Sequence, residues 1–138
     1  MVLVLGMAVI GCGDDSEPNP WDEVNFNTTD PSGSTLSTYG INNDEFNTIK
    51  SAGGGGYQGW AILGDDLVLY WTGRSMSNYN TVVTALETKF SSATKIEDDG
   101  VHIAGNVDDF IVMYYESSNS SEGYTTPAGT MIAGIMPN

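Results

Sequence analysis

The chain is poor in positive charge: its 138 residues hold four Lys and Arg against 18 Asp and Glu, a net charge of −14. The four basic residues lie singly along the sequence, at Lys50, Arg74, Lys89 and Lys95. Nucleic-acid phosphates and anionic lipid surfaces are bound by clustered Lys and Arg, so the composition argues against both as partners. An acidic balance fits a soluble surface, a cation-binding face or a basic partner.

Cysteine and histidine are nearly absent, with one residue of each, Cys12 and His102. A single cysteine excludes an intramolecular disulfide, and no second Cys or His is present to complete a zinc site. The sequence also lacks the Gly-x-Ser-x-Gly and His-Glu-x-x-His motifs of serine hydrolases and metalloproteases. If residues 101–104 form a strand, His102 points away from Val101 and Ile103, and is exposed or faces a partner.

The apolar run at residues 1–10, MVLVLGMAVI, is too short to cross a bilayer as a helix, which needs about 20 residues. Its length is typical of the apolar core of a secretory signal peptide. The run ends in Val9-Ile10-Gly11-Cys12 and is followed at residues 13–20 by GDDSEPNP, a polar segment that cannot hold a helix. A buried N-terminal strand with a free thiol is the alternative interpretation.

Val9, Ile10, Gly11 and Cys12 resemble the lipobox of bacterial lipoproteins. The resemblance implies that residues 1–11 are a signal peptide that is cut off, and that Cys12 carries fatty acyl chains such as palmitate. Two or more acyl chains anchor a protein stably in a membrane, where one chain gives only marginal binding. Because Gly13 rather than Asp follows the cysteine, the resemblance points to the outer membrane or cell surface.

The chain is long enough for one domain with its own core and too short for two of typical size. We expect residues 12–40 to comprise the lipidated cysteine and a flexible acidic and polar linker. Trp21, Val24 and Phe26 are expected to gain order where they touch the domain. Residues 41–138 are predicted to form a single α+β domain.

Apolar periodicity and turn residues predict a mainly antiparallel sheet of five to six strands with two helices packed on it. The first helix is predicted to begin with a capping box of Asn42 and Glu45 and to end at Gly53 in a left-handed conformation. The second helix is predicted to be capped at its start by Ser77 or Asn78. The first hairpin is apolar on both faces, which predicts a central position. The predicted helices are 41–52 and 76–90; the predicted strands are 60–63, 67–72, 94–97, 101–104, 109–116 and 130–136, with a polar loop at 117–126.

Part of this pattern resembles the profilin-like fold. The matching pieces are Ala61-Ile62-Leu63-Gly64, Asp65-Asp66, Trp71, the helix to Phe90, and GVHIAGNVDDFIVMY at residues 100–114. The resemblance implies a topology, which roadblock and longin-type domains largely share. Profilins bind polyproline between terminal helices, whereas this sequence ends in Ile-Met-Pro-Asn, so no binding residues are carried over.

Two sets of residues are candidates for ligand binding. Aromatic residues must divide between the two sheet faces, and a face left uncovered would offer a patch for a glycan, a peptide or a sister subunit; core packing is the alternative. They are Trp60, Tyr70, Trp71, Tyr114 and Tyr115. Acidic doublets in predicted turns could bind Ca²⁺, although Asp is also favoured in turns for backbone reasons. They are Asp65-Asp66, Asp98-Asp99 and Asp108-Asp109.

The sequence favours an exported, lipid-anchored envelope protein that works as a non-catalytic binding or scaffold module. It would need no cofactor, and its partners would be the membrane, through the lipid, and a protein or glycan. Three alternatives remain open: a Ca²⁺ or small-ligand binding domain, a hydrolase that uses paired carboxylates, and a self-assembling surface protein. In the last, residues 130–136 would pair with a neighbouring chain at a sheet edge.

Overall fold

The computed structural model describes residues 17–138. It has an α+β fold in which one six-stranded antiparallel sheet carries two main helices, which confirms the predicted fold class. The predicted signal peptide and Cys12 lie outside the described residues.

The elements follow one another along the chain with short connections. The helices are a 3₁₀ helix at Pro20–Glu23, α1 at Gly33–Thr38, α2 at Asn43–Ala52 and α3 at Met76–Lys89. The strands are β1 at Tyr57–Leu63, β2 at Asp66–Trp71, β3 at Thr94–Asp98, β4 at Val101–Gly105, β5 at Phe110–Tyr115, β6 at Asn119–Ser121, β7 at Tyr124–Thr126 and β8 at Met131–Ile135.

Strand β8 lies in the centre of the sheet, whose order is β1-β2-β8-β5-β4-β3. Ile135 pairs with Leu67 of β2 on one side and with Phe110 of β5 on the other. The expectation that residues 130–136 pair with a neighbouring chain at an edge is therefore wrong, because both sides of β8 are already hydrogen-bonded. The edge strands are β1 and β3. The prediction that the first hairpin is central therefore holds for β2 but is wrong for β1.

The capping box of α2 is confirmed: the Glu45 amide donates to Asn42 Oδ1 at 2.9 Å and the Asn42 amide donates to Glu45 Oε1 at 3.0 Å. The start of α3 differs from the prediction, because Ser75 is the cap and Asn78 provides the reciprocal contact at the third helical position. Both predicted caps, Ser77 and Asn78, instead lie inside the first turn of the helix.

The stop after α2 also differs from the prediction. Gly53 has a right-handed φ of −73°, and the left-handed residue is Gly54 at +74°. A Cβ at Gly53 would overlap the indole of Trp71. Gly53 is therefore required for close packing of the helix end on β2, whereas Gly54 makes the turn.

Helices α2 and α3 pack on the same face of the sheet, which we call the helix-covered face. Phe46 and Ile49 of α2 and Leu86 of α3 join one buried cluster with β2, β5 and β8. Lys89 Nζ of α3 lies 2.9 Å from Glu45 Oε2 of α2 and links the two helices at the surface. The fully buried strand residues of this cluster are Leu67, Leu69, Trp71, Ala104, Phe110, Val112, Met131, Ala133 and Ile135.

Two segments predicted to lack regular structure form short elements. Residues 20–38 contain the 3₁₀ helix and α1, and Trp21, Leu36 and Tyr39 are buried, so the packed fold begins before Ile41. Residues 119–126 form the β6–β7 hairpin, with positive φ at Glu122 and Gly123 as a tight hairpin turn requires. Three-residue polar strands give almost no hydrophobic alternation, which is why the sequence pattern missed them.

Candidate binding surface

The second face of the sheet, opposite the helices, includes two cross-strand rows of side chains that run across all six strands. Strand register places residues of β3, β4, β5, β8, β2 and β1 opposite one another in that order. One row consists of Ile96, Ile103, Met113, Ile132, Tyr70 and Gly59. The other consists of Thr94, Gly105, Ile111, Gly134, Val68 and Ala61.

Residues 19–27, which we call the N-terminal cover, close the β1–β2–β8 part of this face. Trp21 is 6% exposed and packs with Val68, Tyr70 and Ile132. The ring of Phe26 lies 4.9 Å from that of Tyr70 between centroids. The expectation that Trp21, Val24 and Phe26 touch the domain is thus confirmed.

Backbone contacts hold the cover in place. Asn27 forms an antiparallel bridge with Trp60 of β1, with N–H···O distances of 2.7 and 3.0 Å. Gly59, at φ +133°, makes this approach possible, because a Cβ there would overlap the Asn27 carbonyl. At the other end of the cover, Asn19 Nδ2 donates to the Tyr70 hydroxyl at 3.2 Å.

The β3–β4–β5 part of the second face is not covered by any helix or strand of residues 17–138. Ile96 is 58% exposed and Ile111 is 38% exposed, and Ile103 and Met113 are half-buried beside them. We call this surface, with its floor at Gly105 and Gly134, the open groove. It contains two adjoining cavities of about 180 and 470 Å³ that share Ile111 and Met136.

The smaller cavity runs under the edge of the N-terminal cover. Trp21, Ile132 and Met136 line it together with the carboxylate residue Asp66. The buried indole Nε1 of Trp21 has no hydrogen-bond partner among the described residues. Gly134 has no side chain to fill this space, and a Cβ there would make only ordinary contacts with Ile111, the nearest at 3.4 Å. The open groove therefore combines an apolar floor with a deeper end that a partner side chain can enter.

The charged residues around the open groove are all acidic. Asp66 lines its deep end, Asp98 lies on the same face by strand register, and Asp108 follows Val107 of the larger cavity. Asp22 and Glu23 are exposed on the cover. No Lys or Arg belongs to the cross-strand rows of this face in residues 17–138.

The four basic residues lie on the other side of the sheet or near it. Lys50 Nζ pairs with Asp30 at 2.9 Å, and Lys89 pairs with Glu45. Arg74 donates to the carbonyl oxygens of Thr72 at 3.0 Å and Gly53 at 3.2 Å. Lys95 is opposite Ala104, whose side chain is in the helix-covered core. The two faces of the sheet thus differ in charge as well as in cover.

The predicted aromatic residues do not form one exposed patch. Trp71 and Tyr114 are buried on the helix-covered face, where Trp60 is partly buried. Tyr70 is buried under the cover on the second face, and Tyr115 is half-buried near the β6–β7 hairpin. Burial raises the pKa of Tyr70 and that of Tyr115, as expected for phenols packed against apolar neighbours.

The acidic doublets lie at two ends of the sheet. Asp65-Asp66 and Asp108-Asp109 share one end, because β2, β8 and β5 align through Leu67, Ile135 and Phe110. Asp98-Asp99 lies at the opposite end, where Val101 pairs with both Asp98 and Tyr115. Within residues 17–138, no group of three or more His, Cys, Asp or Glu side chains could hold a metal ion together.

His102 points to the helix-covered face, as strand alternation predicts, but it is not freely exposed. Its ring lies 5.9 Å from the rings of both Tyr79 and Tyr114, and its side chain is 17% exposed. His102 Nε2 lies 2.8 Å from Glu116 Oε2. Packing and one carboxylate account for this histidine, and the open groove lies on the opposite face.

The strand residues that form the open groove were not among the predicted site residues; they are Ile96, Ile103, Ile111 and Met113. A signal was present, since Ile96 lies between Lys95 and Glu97, and an apolar residue between charges in a strand marks a separate apolar face. Deciding whether that face is covered requires the position of both helices, which the periodicity of each one does not give.

Between 17 and 138, no helix has both the length and the apolar character needed to span a membrane. Comparison of the chain with protein-family models, with curated proteins and with solved structures finds no match.

Proposed function

We propose that this protein is a lipid-anchored, non-catalytic binding module of the bacterial envelope that presents the open groove to a partner. The observation that carries the binding part is the unequal cover of the sheet: one face is closed by α2 and α3, and the other is closed only over β1, β2 and β8. Apolar surface of this kind on a folded domain is typical of interaction sites.

The anchoring part rests on the sequence around Cys12. The lipobox-like residues Val9 to Cys12 are followed at residues 13–20 by a polar segment suited to a tether. Glu17 Oε2 accepts a hydrogen bond from the Thr125 hydroxyl at 2.9 Å, so the chain enters the fold at the β6–β7 hairpin. A lipid on Cys12 would hold this end of the domain near the membrane.

The test is intact-mass spectrometry of the protein extracted from bacterial membranes, with the Cys12→Ala variant as control. We expect the wild type to have lost residues 1–11 and gained acyl chains, and the variant to show neither change. An unmodified wild-type mass that retains Met1 would contradict the anchoring and remove the envelope from the proposal.

A further inference from the structure

We propose that the open groove binds a segment of another protein that presents aliphatic or aromatic side chains flanked by Lys or Arg. The inference deepens the proposed function, on which it rests, by naming the chemical class of the partner. Three properties of the groove lead to it: its apolar floor, the sign of the charges around it, and the free strand edge at one side.

The floor selects apolar side chains. Ile96, Val107 and Ile111 are the exposed large apolar residues that line the larger cavity, and the adjoining smaller cavity continues from Ile111 to Trp21. Burial of apolar surface stabilises a complex in rough proportion to the area removed from water, at about 25 cal/mol per Å². A partner side chain placed over Gly134 would therefore displace water from Ile111, Met113 and Ile132 at once.

The acidic residues around the groove favour a partner that carries positive charge. Asp66 and Asp98 share the face with the apolar rows, Asp22 lies on the cover, and Asp108 is in the β4–β5 turn. The basic side chains lie away from the groove: Lys50 and Lys89 form ion pairs and Arg74 donates to backbone carbonyls. Lys95, next to Ile96 on β3, belongs by strand register to the helix-covered face. Complementary charge speeds association and excludes partners of the wrong sign.

The same charges disfavour two other occupants. A second copy of this chain would bring two acidic, cation-free faces together, each on a protein of net charge −14. A membrane surface that carries anionic lipids would be repelled by the same carboxylates.

Strand β3 allows the partner to extend the sheet. It is the edge strand on this side, and all five of its residues, Thr94–Asp98, are exposed. An extended segment paired with β3 would direct every second side chain onto the second face, beside Ile96. Cationic side chains on such a segment would lie within reach of Asp98.

The test uses the full chain with Cys12→Ala, synthesised without membranes so that residues 1–138 are present and unacylated. The probe is a fluorescently labelled peptide with four central Leu residues and two Lys at each end. In one control peptide Glu replaces Lys, and in the other Ser replaces Leu. Binding is followed by fluorescence anisotropy at low salt and again at 0.5 M NaCl.

We expect the Lys-Leu peptide to bind at least tenfold more tightly than either control, and salt to weaken it. The double variant Ile96→Ser with Ile111→Ser should weaken binding at least tenfold. Ile62→Ser is the matched control, because Ile62 is 43% exposed but lies opposite Leu67 on the other face. The single variant Ile96→Ser changes only a residue of the exposed edge strand, so it is less prone to misfold than the double variant, and it should weaken peptide binding severalfold.

Asp66→Asn tests the charge separately from the floor. Asp66→Asn should weaken binding of the Lys-Leu peptide severalfold, because Asp66 lines the deep end of the groove. Asp44→Asn, on the exposed first turn of α2, should leave the affinity for this peptide unchanged. Equal binding of the Lys and Glu peptides, equal loss with Ile62→Ser, or no binding of any peptide would overturn the proposal.

Two further outcomes would give the groove to a different occupant and so overturn the proposal. One is a dimer in sedimentation velocity that the Ile96 and Ile111 substitutions abolish, which would assign the groove to a second copy. The other is a gain in peptide affinity when Leu3 and Leu5 are both replaced by Asp, which would assign it to the chain's own N-terminal run. Acylation is measured by mass at Cys12 and peptide binding in the Cys12→Ala chain, so either proposal can fail alone.

Discussion

The two faces of the six-stranded sheet are closed by different means. On one face, α2 and α3 cover strands from β2 to β5, and Leu86, Phe110 and Trp71 are fully buried between them. On the other, the N-terminal cover packs Trp21 and Phe26 over three strands and stops. The apolar rows of β3, β4 and β5 continue past the cover without a partner from residues 17–138.

Because of this difference, one face mainly stabilises the fold and the other exposes apolar surface. The helix-covered face contains the large core cluster and the ion pairs of Lys50 and Lys89, so it holds the fold together. The second face contributes a small cluster of four buried residues, and the open groove beside it is uncovered within residues 17–138. Substitutions on the helix-covered face should therefore lower stability strongly. Substitutions in the open groove should weaken binding and change stability little.

The largest effect is expected at Phe110, which is fully buried on the helix-covered face. Phe110→Ala should lower the free energy of unfolding by about 4 kcal/mol, because it removes a large side chain and leaves a cavity. Urea unfolding followed by circular dichroism measures this. The neighbour Ile111 points to the other face, and Ile111→Ala should cost less than about 1 kcal/mol. Similar losses for the two would contradict the difference between faces.

The N-terminal cover should come next. Trp21→Ala should lower the free energy of unfolding by about 3 kcal/mol, at the low end for a buried Trp, since Trp21 belongs to the smaller cluster. It should also expose Val68, Tyr70 and Ile132, and therefore increase the fluorescence of a hydrophobic dye. A change below 0.5 kcal/mol would show that the cover does not stabilise the fold.

Two tyrosine hydroxyls sharpen the comparison. On the second face, the Tyr70 hydroxyl accepts from Asn19, so Tyr70→Phe should cost about 1 kcal/mol. On the helix-covered side, the buried Tyr57 hydroxyl has no partner among the described residues, so Tyr57→Phe should be neutral or stabilising. Thermal unfolding of the two variants under the same conditions checks the order, and a larger loss for Tyr57→Phe would reverse it.

Tyr57 also gives an alkaline dependence. Burial first, and then the charge of Asp30, raise the pKa of Tyr57 well above its ordinary value of 10.0. The folded state keeps the neutral phenol, so this contribution to stability is complete below pH 10 and is lost as the pH rises through the folded pKa. Tyr57→Phe should therefore unfold at higher pH than the wild type, and equal alkaline midpoints would contradict this.

A smaller effect is expected from the ion pair that links α2 and α3. The hydrogen bond from Lys89 is the main cause that lowers the pKa of Glu45. Its contribution is present above the unfolded pKa of Glu45 and is lost as the pH falls through the folded value. Since both side chains are partly exposed, we expect no more than about 0.5 kcal/mol. Lys89→Met should raise the pKa of Glu45 in an NMR titration, and an unchanged pKa would exclude the pair.

The smallest effect on stability is expected at Ile96. It is 58% exposed at the edge strand, so Ile96→Ser should change the free energy of unfolding by less than about 0.5 kcal/mol. Combined with the expected loss of peptide binding, this would identify Ile96 as a residue whose role is contact and not packing. A large loss of stability would instead show that the groove is already filled.

Much of the fold could be predicted because its larger elements have strong local signals. The capping box at Asn42 and Glu45 and the apolar stripe of α3 define both main helices, and short apolar runs between turn residues define β4 and β5. The position of β8 could not be predicted, because its five buried residues fit an interior strand or one covered by a neighbouring chain equally well. The short segments 20–38 and 119–126 depend on contacts with distant strands rather than on their own periodicity.

The candidate binding surface was less predictable than the fold. The aromatic residues and acidic doublets stand out in the sequence, yet Trp71 and Tyr70 are used in packing and the doublets lie in turns at two ends of the sheet. The groove residues Ile96 and Ile111 have ordinary strand positions. They are exposed on an uncovered face only because both main helices lie on the other face. That arrangement depends on the order of strands in the whole sheet.

The central position of β8 also determines when the fold can form. Residues 57–71 and 94–115 are two separate groups of strands until residues 131–135 enter between them and pair Leu67 and Phe110 with Ile135. Contacts so distant in sequence make folding slow, since the intervening chain must be ordered before they form. The complete sheet therefore cannot close before residues 131–135 have been synthesised, and the strands on either side of β8 stay apart until then.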